Sequence, residues 1–170
     1  MKVRAQAVEA DRDAITAALR FVLRSTKARP QTQAEIRAKL RGRDHPDDVI
    51  DAAVERACAL GAIDDAAFAR AWVNDRGLGR GYSVQRVRDE LRRRAVPDAV
   101  IDDALAALEP RDDHAVATDL ARARAQRMPA TLEPEVIARR LVGFLARRGY
   151  PEALSRRVAI QVSGLDREWD

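Results

Sequence analysis

Residues 61–72 read GAIDDAAFARAW, and residues 76–82 read RGLGRGY. Together they predict a boundary between two helical units. Gly61 ends one helix, because glycine adopts the left-handed conformation of a helix C-terminus at little cost. Asp64 or Asp65 then begins the next helix, because an aspartate oxygen accepts hydrogen bonds from the unpaired N–H groups of a first turn.

The helix that follows this boundary carries two of the chain's few aromatic residues. Phe68 and Trp72 lie four residues apart on one helical face, which is typical of core residues rather than of a base-stacking platform. The glycines of residues 77–81 predict a helix C-cap and a flexible turn, since a phosphate loop needs a following Lys-Ser/Thr pair. A less favoured alternative is close approach of this backbone to a partner, helped by Arg76 and Arg80.

The composition of the 170-residue chain favours helix over sheet. Alanine and arginine are abundant and form helices well, whereas aromatic residues make up only 4% and β-branched residues are sparse. The core must therefore be built from Leu, Val, Ile and Ala. We predict an all-α fold.

An internal repeat is the strongest signal in the sequence. Each copy has an apolar residue, a leucine four positions later, a proline six after that and a second apolar residue three after the proline. The copies are Ile36, Leu40, Pro46 and Val49; Val87, Leu91, Pro97 and Val100; and Leu141, Leu145, Pro151 and Leu154. Their separations of 51 and 54 residues are typical of a tandem helical array in which small units share a core.

We therefore predict three tandem three-helix repeats. Residues 1–63 hold an N-terminal extension and the first repeat, residues 64–110 the second, and residues 111–170 the third with a polar tail from 163. The first helix is predicted over residues 13 to about 26. The predicted starts of later helices are a capping box at Thr32 and Glu35, Pro46 as a first helical residue, Ser83 as a cap, Pro97, and Asp112 or Asp113 as a cap.

The net charge of +4 and the pI near 9.8 indicate an anionic partner, although a solvated helical surface gives the same balance. Helix dipoles explain part of the pattern, since the second helices end in arginine and the third helices begin with Asp or Glu. The other arginines cluster on two second helices, where Arg86 and Arg93 are predicted to point away from the buried stripe. Such a face suits phosphates or an acidic protein surface. The candidate partner-binding residues are Arg76, Arg80, Arg86, Arg88, Arg92, Arg93, Arg139, Arg140, Arg147 and Arg148.

The sequence predicts no enzyme, no cofactor and no metal site. His45 and His114 have no second His or Cys at ligand spacing and are typical of surface residues near helix starts. Cys58 is the single cysteine, which excludes an intramolecular disulfide and indicates a reducing compartment. A charged N-terminus without an apolar run near 20 residues predicts neither a signal peptide nor a membrane span, and hence a cytoplasmic protein.

The boundary segment and the helices after it resemble the signature of the RecX family of bacterial regulatory proteins. The resemblance covers about residues 13–162 and is most specific between Gly61 and Leu108. One departure is at Ala95-Val96, where many members have a glycine before the apolar residue. The residues that carry the resemblance are Gly61, Asp64, Asp65, Phe68, Trp72, Arg76, Gly81, Glu90 and Leu91.

This resemblance implies an elongated, curved array of three repeats that regulates RecA recombinase. Members of the family bind RecA filaments on single-stranded DNA, lodge along the filament groove and inhibit ATP hydrolysis, strand exchange and the coprotease activity used in the SOS response. They also bind DNA to varying degrees. A monomeric, non-enzymatic negative regulator of DNA repair and recombination is thus implied, with the RecA filament as partner and DNA as a second candidate partner.

Two rival interpretations use the same residues. A helix-turn-helix-like DNA-binding regulator would place residues 83–94 in a major groove and show sequence preference and steep salt dependence. A scaffold protein would contact neither nucleic acid nor RecA.

Overall fold

The computed structural model describes residues 2–108 and 110–165, with side chains from Asp11 onward. This part of the chain is all-helical and holds no strand, and none of its helices is long and apolar enough to cross a membrane. The α-helices of the described residues are α1 (Lys2–Ala28), α2 (Gln33–Arg41), α3 (Asp47–Ala59), α4 (Asp65–Val73), α5 (Val84–Arg93), α6 (Asp98–Leu105), α7 (Asp113–Ala125), α8 (Pro134–Ala146) and α9 (Glu152–Ser163). A π-helical turn (Asn74–Gly79) follows α4, and a 3-10 turn (Ala106–Leu108) follows α6.

The prediction for the first helix was too short. It begins at Lys2 rather than near residue 13, because residues 2–10 contain three alanines and four other good helix formers and no Gly or Pro. Pro46 is the N-cap residue of α3, one position before its predicted place. Residues 166–170 of the predicted tail, and Glu109 in the predicted boundary before the third repeat, lie outside the described residues.

The same left-handed turn follows the second helix of each repeat. The backbone has a positive φ at Asp44 (59°), Ala95 (53°) and Gly149 (85°), and these positions are separated by the repeat spacing. In each turn, the N–H of the next residue donates to the carbonyl of the repeat leucine. The bonds are His45 N to Leu40 O (3.3 Å), Val96 N to Leu91 O (3.2 Å) and Tyr150 N to Leu145 O (3.3 Å).

This hydrogen-bond pattern is the Schellman motif, which satisfies the last carbonyls of a helix. It explains the sequence repeat, since the turn takes the five residues between the leucine and the proline that precedes the third helix. Gly61 (φ 68°) closes α3 in the same way, with Ala62 N donating to Ala57 O at 2.9 Å. The predicted role of Gly61 as a helix terminator is confirmed.

The described chain divides into two compact units. The first comprises the described residues up to Ala71 together with Leu91–Ala104. In it α1 and α2 pack against α3 around an aliphatic core. The core residues are Ala18, Val22, Ile36, Leu40, Val49, Ile50, Ala53, Val54, Ala57 and Ile63.

The second unit comprises Trp72–Glu90 together with the described residues from Leu105 onward. Here α7, α8 and α9 pack against one another. Their core consists of Ala117, Ala121, Ala138, Leu141, Leu145, Tyr150, Val158 and Ala159. The small alanines allow the helices to approach closely, as the alanine-rich composition predicts.

Two buried hydroxyl residues connect successive repeats inside these units. Thr32 Oγ1 accepts from Glu35 N at 3.2 Å at the start of α2 and donates to Arg94 O at 3.0 Å, just after α5. In the second unit, Ser83 Oγ accepts from Arg86 N at 3.2 Å and donates to Gly149 O at 2.7 Å. Each hydroxyl therefore caps its own helix and holds the end of the second helix of the following repeat.

The two adjacent aspartates predicted as alternative caps have different roles. Asp64 Oδ1 accepts from Ala67 N at 2.8 Å and is the N-cap of α4. Asp65 is buried and accepts from Gln33 N at 2.9 Å, so it caps the first N–H of α2 instead. The predicted cap at Asp112 is confirmed, because its carboxylate accepts from His114 N and Ala115 N at the start of α7.

Ala95→Gly is expected to raise the free energy of unfolding by about 1 kcal/mol, because glycine removes the cost of a Cβ in a left-handed conformation. Gly149→Ala is expected to lower it by more, since the added Cβ would clash with the Arg86 side chain and lie 2.8 Å from Ser83 Oγ. Urea unfolding of the three proteins measures both changes. A loss of stability in Ala95→Gly would contradict the left-handed assignment.

The substitution Asp65→Asn tests the cap on α2 through the pH dependence of the free energy of unfolding. Burial raises the pKa of the Asp65 carboxyl, an effect that Asp64 and Glu35 reinforce and the Gln33 N–H opposes. The folded protein therefore binds this proton more tightly than the unfolded chain, and wild type should gain stability relative to Asp65→Asn as pH falls from 7 towards 4. Denaturant unfolding of both proteins at several pH values should show this trend, and a difference that shrinks on acidification would contradict it.

Candidate functional site

The second unit contains a basic cleft of about 980 Å³. Its walls come from the π-helical turn, the start of α5, the end of α7, and α8 with the turn after it. Of the described residues that line it, six are arginines and none is acidic. They are Arg80, Arg86, Arg124, Arg127, Arg147 and Arg148, with Gly79, Tyr82, Leu120, Ala123 and Phe144. This lining suits a ligand with several negative charges.

Aromatic rings hold several of these guanidinium groups in place. The Arg148 guanidinium lies 3.7 Å from the centre of the Phe144 ring, and that of Arg86 lies 4.1 Å from the centre of the Tyr82 ring. Arg86 also pairs with Glu90 at 3.0 Å and donates to Arg147 O. Side chains that are already ordered lose less entropy when they bind a ligand.

Arg148 is the cleft residue that would gain most from a bound anion. Its Nε atom is buried and has no hydrogen-bond partner among the described residues. Burial lowers the pKa of its guanidinium, because desolvation disfavours the charged form. A negatively charged group in the cleft would replace the lost solvation of this side chain.

The aromatic rings of the cleft are poorly placed to stack on nucleic-acid bases. Tyr82 has Arg86 and, at 5.9 Å, Arg76 against its ring, and Phe144 has Arg148 and, at 5.9 Å, Arg124. Guanidinium groups therefore already occupy part of the surface around both rings and leave less of it open to a base. The geometry therefore favours contact with phosphates over recognition of bases.

A buried arginine outside the predicted set supports the wall of the cleft. Arg111 donates to Gly77 O at 3.0 Å, to Tyr82 O at 2.9 Å and to the Tyr150 hydroxyl at 3.2 Å. The Tyr150 hydroxyl donates in turn to Gly81 O at 3.0 Å. These bonds fix the chain on both sides of Arg80, which lines the cleft.

The structure brings four of the predicted arginines together and places the others elsewhere. Arg80, Arg86, Arg147 and Arg148 line the cleft. Arg88, Arg139 and Arg140 are not among its lining residues, and Arg92 and Arg93 belong to the first unit, where Arg92 pairs with Asp98 at 2.8 Å. The sequence analysis does not identify Arg124, in the last turn of α7, or Arg127, in the turn that follows this helix.

Arg86 is less exposed than expected for its predicted position away from the buried stripe. Its side chain is half-buried, because the turn after α8 covers this part of α5 and receives its hydrogen bond. Arg93 is exposed, as predicted. A helical wheel identifies the buried stripe of α5 correctly at Val87 and Leu91 but contains no information about a second contact on its flank.

Phe68 is buried, which confirms its predicted place in the core. Trp72 is only half-buried and therefore differs from the same prediction. The Trp72 indole N–H donates to Glu90 Oε2 at 3.1 Å, and the Arg76 guanidinium lies 4.6 Å from the centre of its ring. Arg76 Nε lies 3.2 Å from Asp75 and 3.9 Å from Glu90. Arg76 is thus partly buried among these side chains and is less available to a partner than Arg80.

Within the described residues, no cluster of three or more His, Cys, Asp or Glu side chains is arranged to hold a metal ion. The guanidinium groups of the cleft are suited to bind an anion, because arginine pairs with phosphate and carboxylate groups in a bidentate geometry.

Comparison with known proteins identifies two matching family models. Residues 14–56 match the model described as the first three-helix domain of RecX, and residues 64–105 match that of the second. The chain is 40% identical to the regulatory protein RecX of Thermobifida fusca over 88% of this chain and 80% of that protein. It is 36% identical to the regulatory protein RecX of Streptomyces coelicolor over 97% of this chain and 89% of that protein.

Solved structures show the same fold. A crystal structure of regulatory protein RecX gives a TM-score of 0.69 at 20% identity, covering 93% of this chain and 77% of the other. RecX from Lactobacillus salivarius gives 0.67 at 17% identity, covering 88% of this chain and 97% of the other.

Arg111→Met is expected to lower the free energy of unfolding by about 3–5 kcal/mol, because it leaves buried carbonyls and the Asp113 carboxylate without their partner. Arg122→Met is the matched control on α7, since its exposed pair with Asp119 at 3.8 Å contributes about 1 kcal/mol at most. Chemical denaturation measures both. Equal effects of the two substitutions would show that Arg111 does not hold the cleft wall.

Proposed function

Because this chain belongs to the RecX family of regulatory proteins, we propose that it is a negative regulator of RecA recombinase. It binds the RecA filament on single-stranded DNA and inhibits the filament's ATPase, strand-exchange and coprotease activities. Through these it modulates DNA repair, recombination and the SOS response. It acts in the cytoplasm, as a monomer and without catalysis of its own.

The observation that carries this proposal is the basic cleft of the second unit. Six arginines without a lining carboxylate provide a site for a polyanion, and the single-stranded DNA of a filament is such a ligand. Arginine also pairs with phosphate in a bidentate geometry that lysine cannot match. We assign the contact with DNA phosphates to this cleft.

Inhibition follows from preferential binding to one state of the filament. A regulator shifts an equilibrium only by the difference between its affinities for the two states. Occupation of the filament by this protein therefore stabilises the state to which it binds and excludes substrates from the surface that it covers. No reactive group of the protein takes part in such a mechanism.

The geometry disfavours the rival helix-turn-helix interpretation. A recognition helix contacts base edges with its N-terminal residues. In this protein the start of α5 is occupied, since Ser83 is buried against the turn after α8 and Arg86 bonds to that turn. The remaining guanidinium groups of the cleft come from several elements rather than from one exposed helix.

Addition of this protein to the cognate RecA on single-stranded DNA is expected to lower the rate of ATP hydrolysis at substoichiometric and at equal ratios. The steady-state ATPase rate measures the effect, and RecA without DNA is the control for interference with the assay. An unchanged rate at both ratios would refute the proposed function, and sequence-specific binding to duplex DNA would support the rival.

Removal of three exposed cleft arginines tests where DNA binds. The triple variant Arg124→Ala/Arg127→Ala/Arg147→Ala should bind single-stranded DNA more weakly, and the slope of log K against log salt should fall by about 0.7 for each phosphate that is no longer neutralised. The control Arg20→Ala/Arg56→Ala/Arg157→Ala removes the same charge at exposed residues outside the cleft. Fluorescence anisotropy across salt concentrations measures both, and equal weakening of the two variants would place the DNA elsewhere.

A further inference from the structure

In the π-helical turn, a glycine is buried and the large apolar residue after it is exposed. Gly77 is buried in it, whereas the next residue, Leu78, has 65% of its surface exposed. A large apolar side chain in this position contributes little to the folding of its own chain, because most of its surface stays in water. The apolar surface of Leu78 is therefore available to a partner.

Contacts on the inner side of the turn fix this arrangement. A Cβ atom on Gly77 would lie 3.0 Å from Leu108 Cδ1, so the backbone packs directly against that leucine. Arg111 Nη1 donates to Gly77 O at 3.0 Å. The backbone of Gly77 is thus held from the inside, while the side chain of its neighbour Leu78 faces outwards.

Hydrogen bonds along the chain stabilise the same conformation. Arg80 N donates to Asp75 O at 3.0 Å, the i to i−5 bond of a π-helix, and Tyr82 N donates to Arg76 O at 2.9 Å. Short π-helical segments are rare and occur frequently at functional sites. Leu78 is thus presented on a fixed backbone, which reduces the entropy lost when such a side chain is buried by a partner.

The residues around Leu78 indicate the chemistry of that partner. Arg80 is exposed and pairs with Asp75 at 3.3 Å, and it also lines the basic cleft together with Gly79. Because Arg80 connects this turn to the other arginines of the cleft, the apolar side chain lies beside a positively charged surface, which suits a protein with an apolar pocket bordered by carboxylates. A nucleic-acid backbone offers phosphates to the arginines but no pocket for a leucine.

We infer that Leu78 is the apolar anchor of a protein–protein contact. It inserts into a pocket of a partner protein with an acidic border, while the adjacent cleft contacts nucleic-acid phosphates. This inference rests on the proposed function, since it divides one filament contact into a protein part at Leu78 and a DNA part in the cleft. The two parts make different predictions for substitutions.

Leu60 provides a matched control for Leu78. It is also 65% exposed, but it is the C-cap residue of α3 in the first unit and lies outside the cleft. Leu78→Ala and Leu60→Ala remove the same atoms from equally exposed positions. Leu78→Met keeps a large apolar side chain and is the conservative variant that should retain function.

The experiment measures RecA ATPase inhibition and, without RecA, binding to fluorescently labelled single-stranded DNA. Leu78→Ala is expected to raise the concentration for half-maximal inhibition at least tenfold, with DNA affinity and thermal unfolding unchanged within about twofold and about 1 °C. Leu60→Ala should change neither property, and Leu78→Met should inhibit within about threefold of wild type.

Each outcome has a separate meaning. Normal inhibition by Leu78→Ala would overturn the inference and leave the proposed function standing, whereas the absence of inhibition by wild type would remove the proposed function itself. A parallel weakening of DNA binding in Leu78→Ala would also overturn the inference, because the leucine would then belong to the DNA contact. Equal weakening of inhibition in Leu78→Ala and Leu60→Ala would overturn it as well, since it would show a general effect of surface leucines.

Discussion

A single hydroxyl oxygen at the start of a second helix connects one repeat to the next. Thr32 and Ser83 each accept a bond from their own helix and donate one to a carbonyl at the end of the second helix of the following repeat. Both are buried, so an unpaired carbonyl at either place would carry a desolvation cost. Small helical repeats cannot bury enough apolar surface alone, and these polar bonds fix how each copy meets its neighbour.

The basic cleft depends on the same construction. Ser83 holds the turn after α8 against the start of α5, and this contact brings Arg86 next to Arg147 and Arg148. The rings of Tyr82 and Phe144 then stabilise these mutually repelling guanidinium groups, since each cation is attracted by the negative face of a ring. The contacts of the folded protein thus bring these positive charges together in the absence of a ligand.

Local signals in the sequence were sufficient for most of the fold. Helix termini depend on residues within a few positions of one another, so the sequence alone reveals them. Examples are the helix end at Gly61, the caps at Asp64, Ser83 and Asp112, and the spacing between the repeat leucine and the proline. The errors concern residues whose role depends on a distant segment. Asp65 caps a helix 32 positions earlier in the chain, and no local pattern distinguishes it from its neighbour.

The candidate site was predictable only in part for the same reason. Arginine clusters on second helices pointed to the correct region, but Arg86 is covered by a turn 61 residues away. Arg124 at the end of α7 and Arg127 in the turn after it reach the cleft because of how α7, α8 and α9 pack, which residue spacing does not encode. The π-helical turn was not predictable either, since one of its stabilising hydrogen bonds comes from Arg111, 34 residues downstream of Gly77.

The left-handed residue after each second helix has a consequence for how such a protein can change. Asp44, Ala95 and Gly149 occupy equivalent positions, yet only at Gly149 does a neighbouring side chain, that of Arg86, leave no room for a Cβ. The first two copies can therefore drift among residues at a modest conformational cost, while the third is restricted to glycine by its neighbour. The three repeats are therefore not interchangeable at this position: a residue tolerated after the second helix of the first or second repeat would clash in the third.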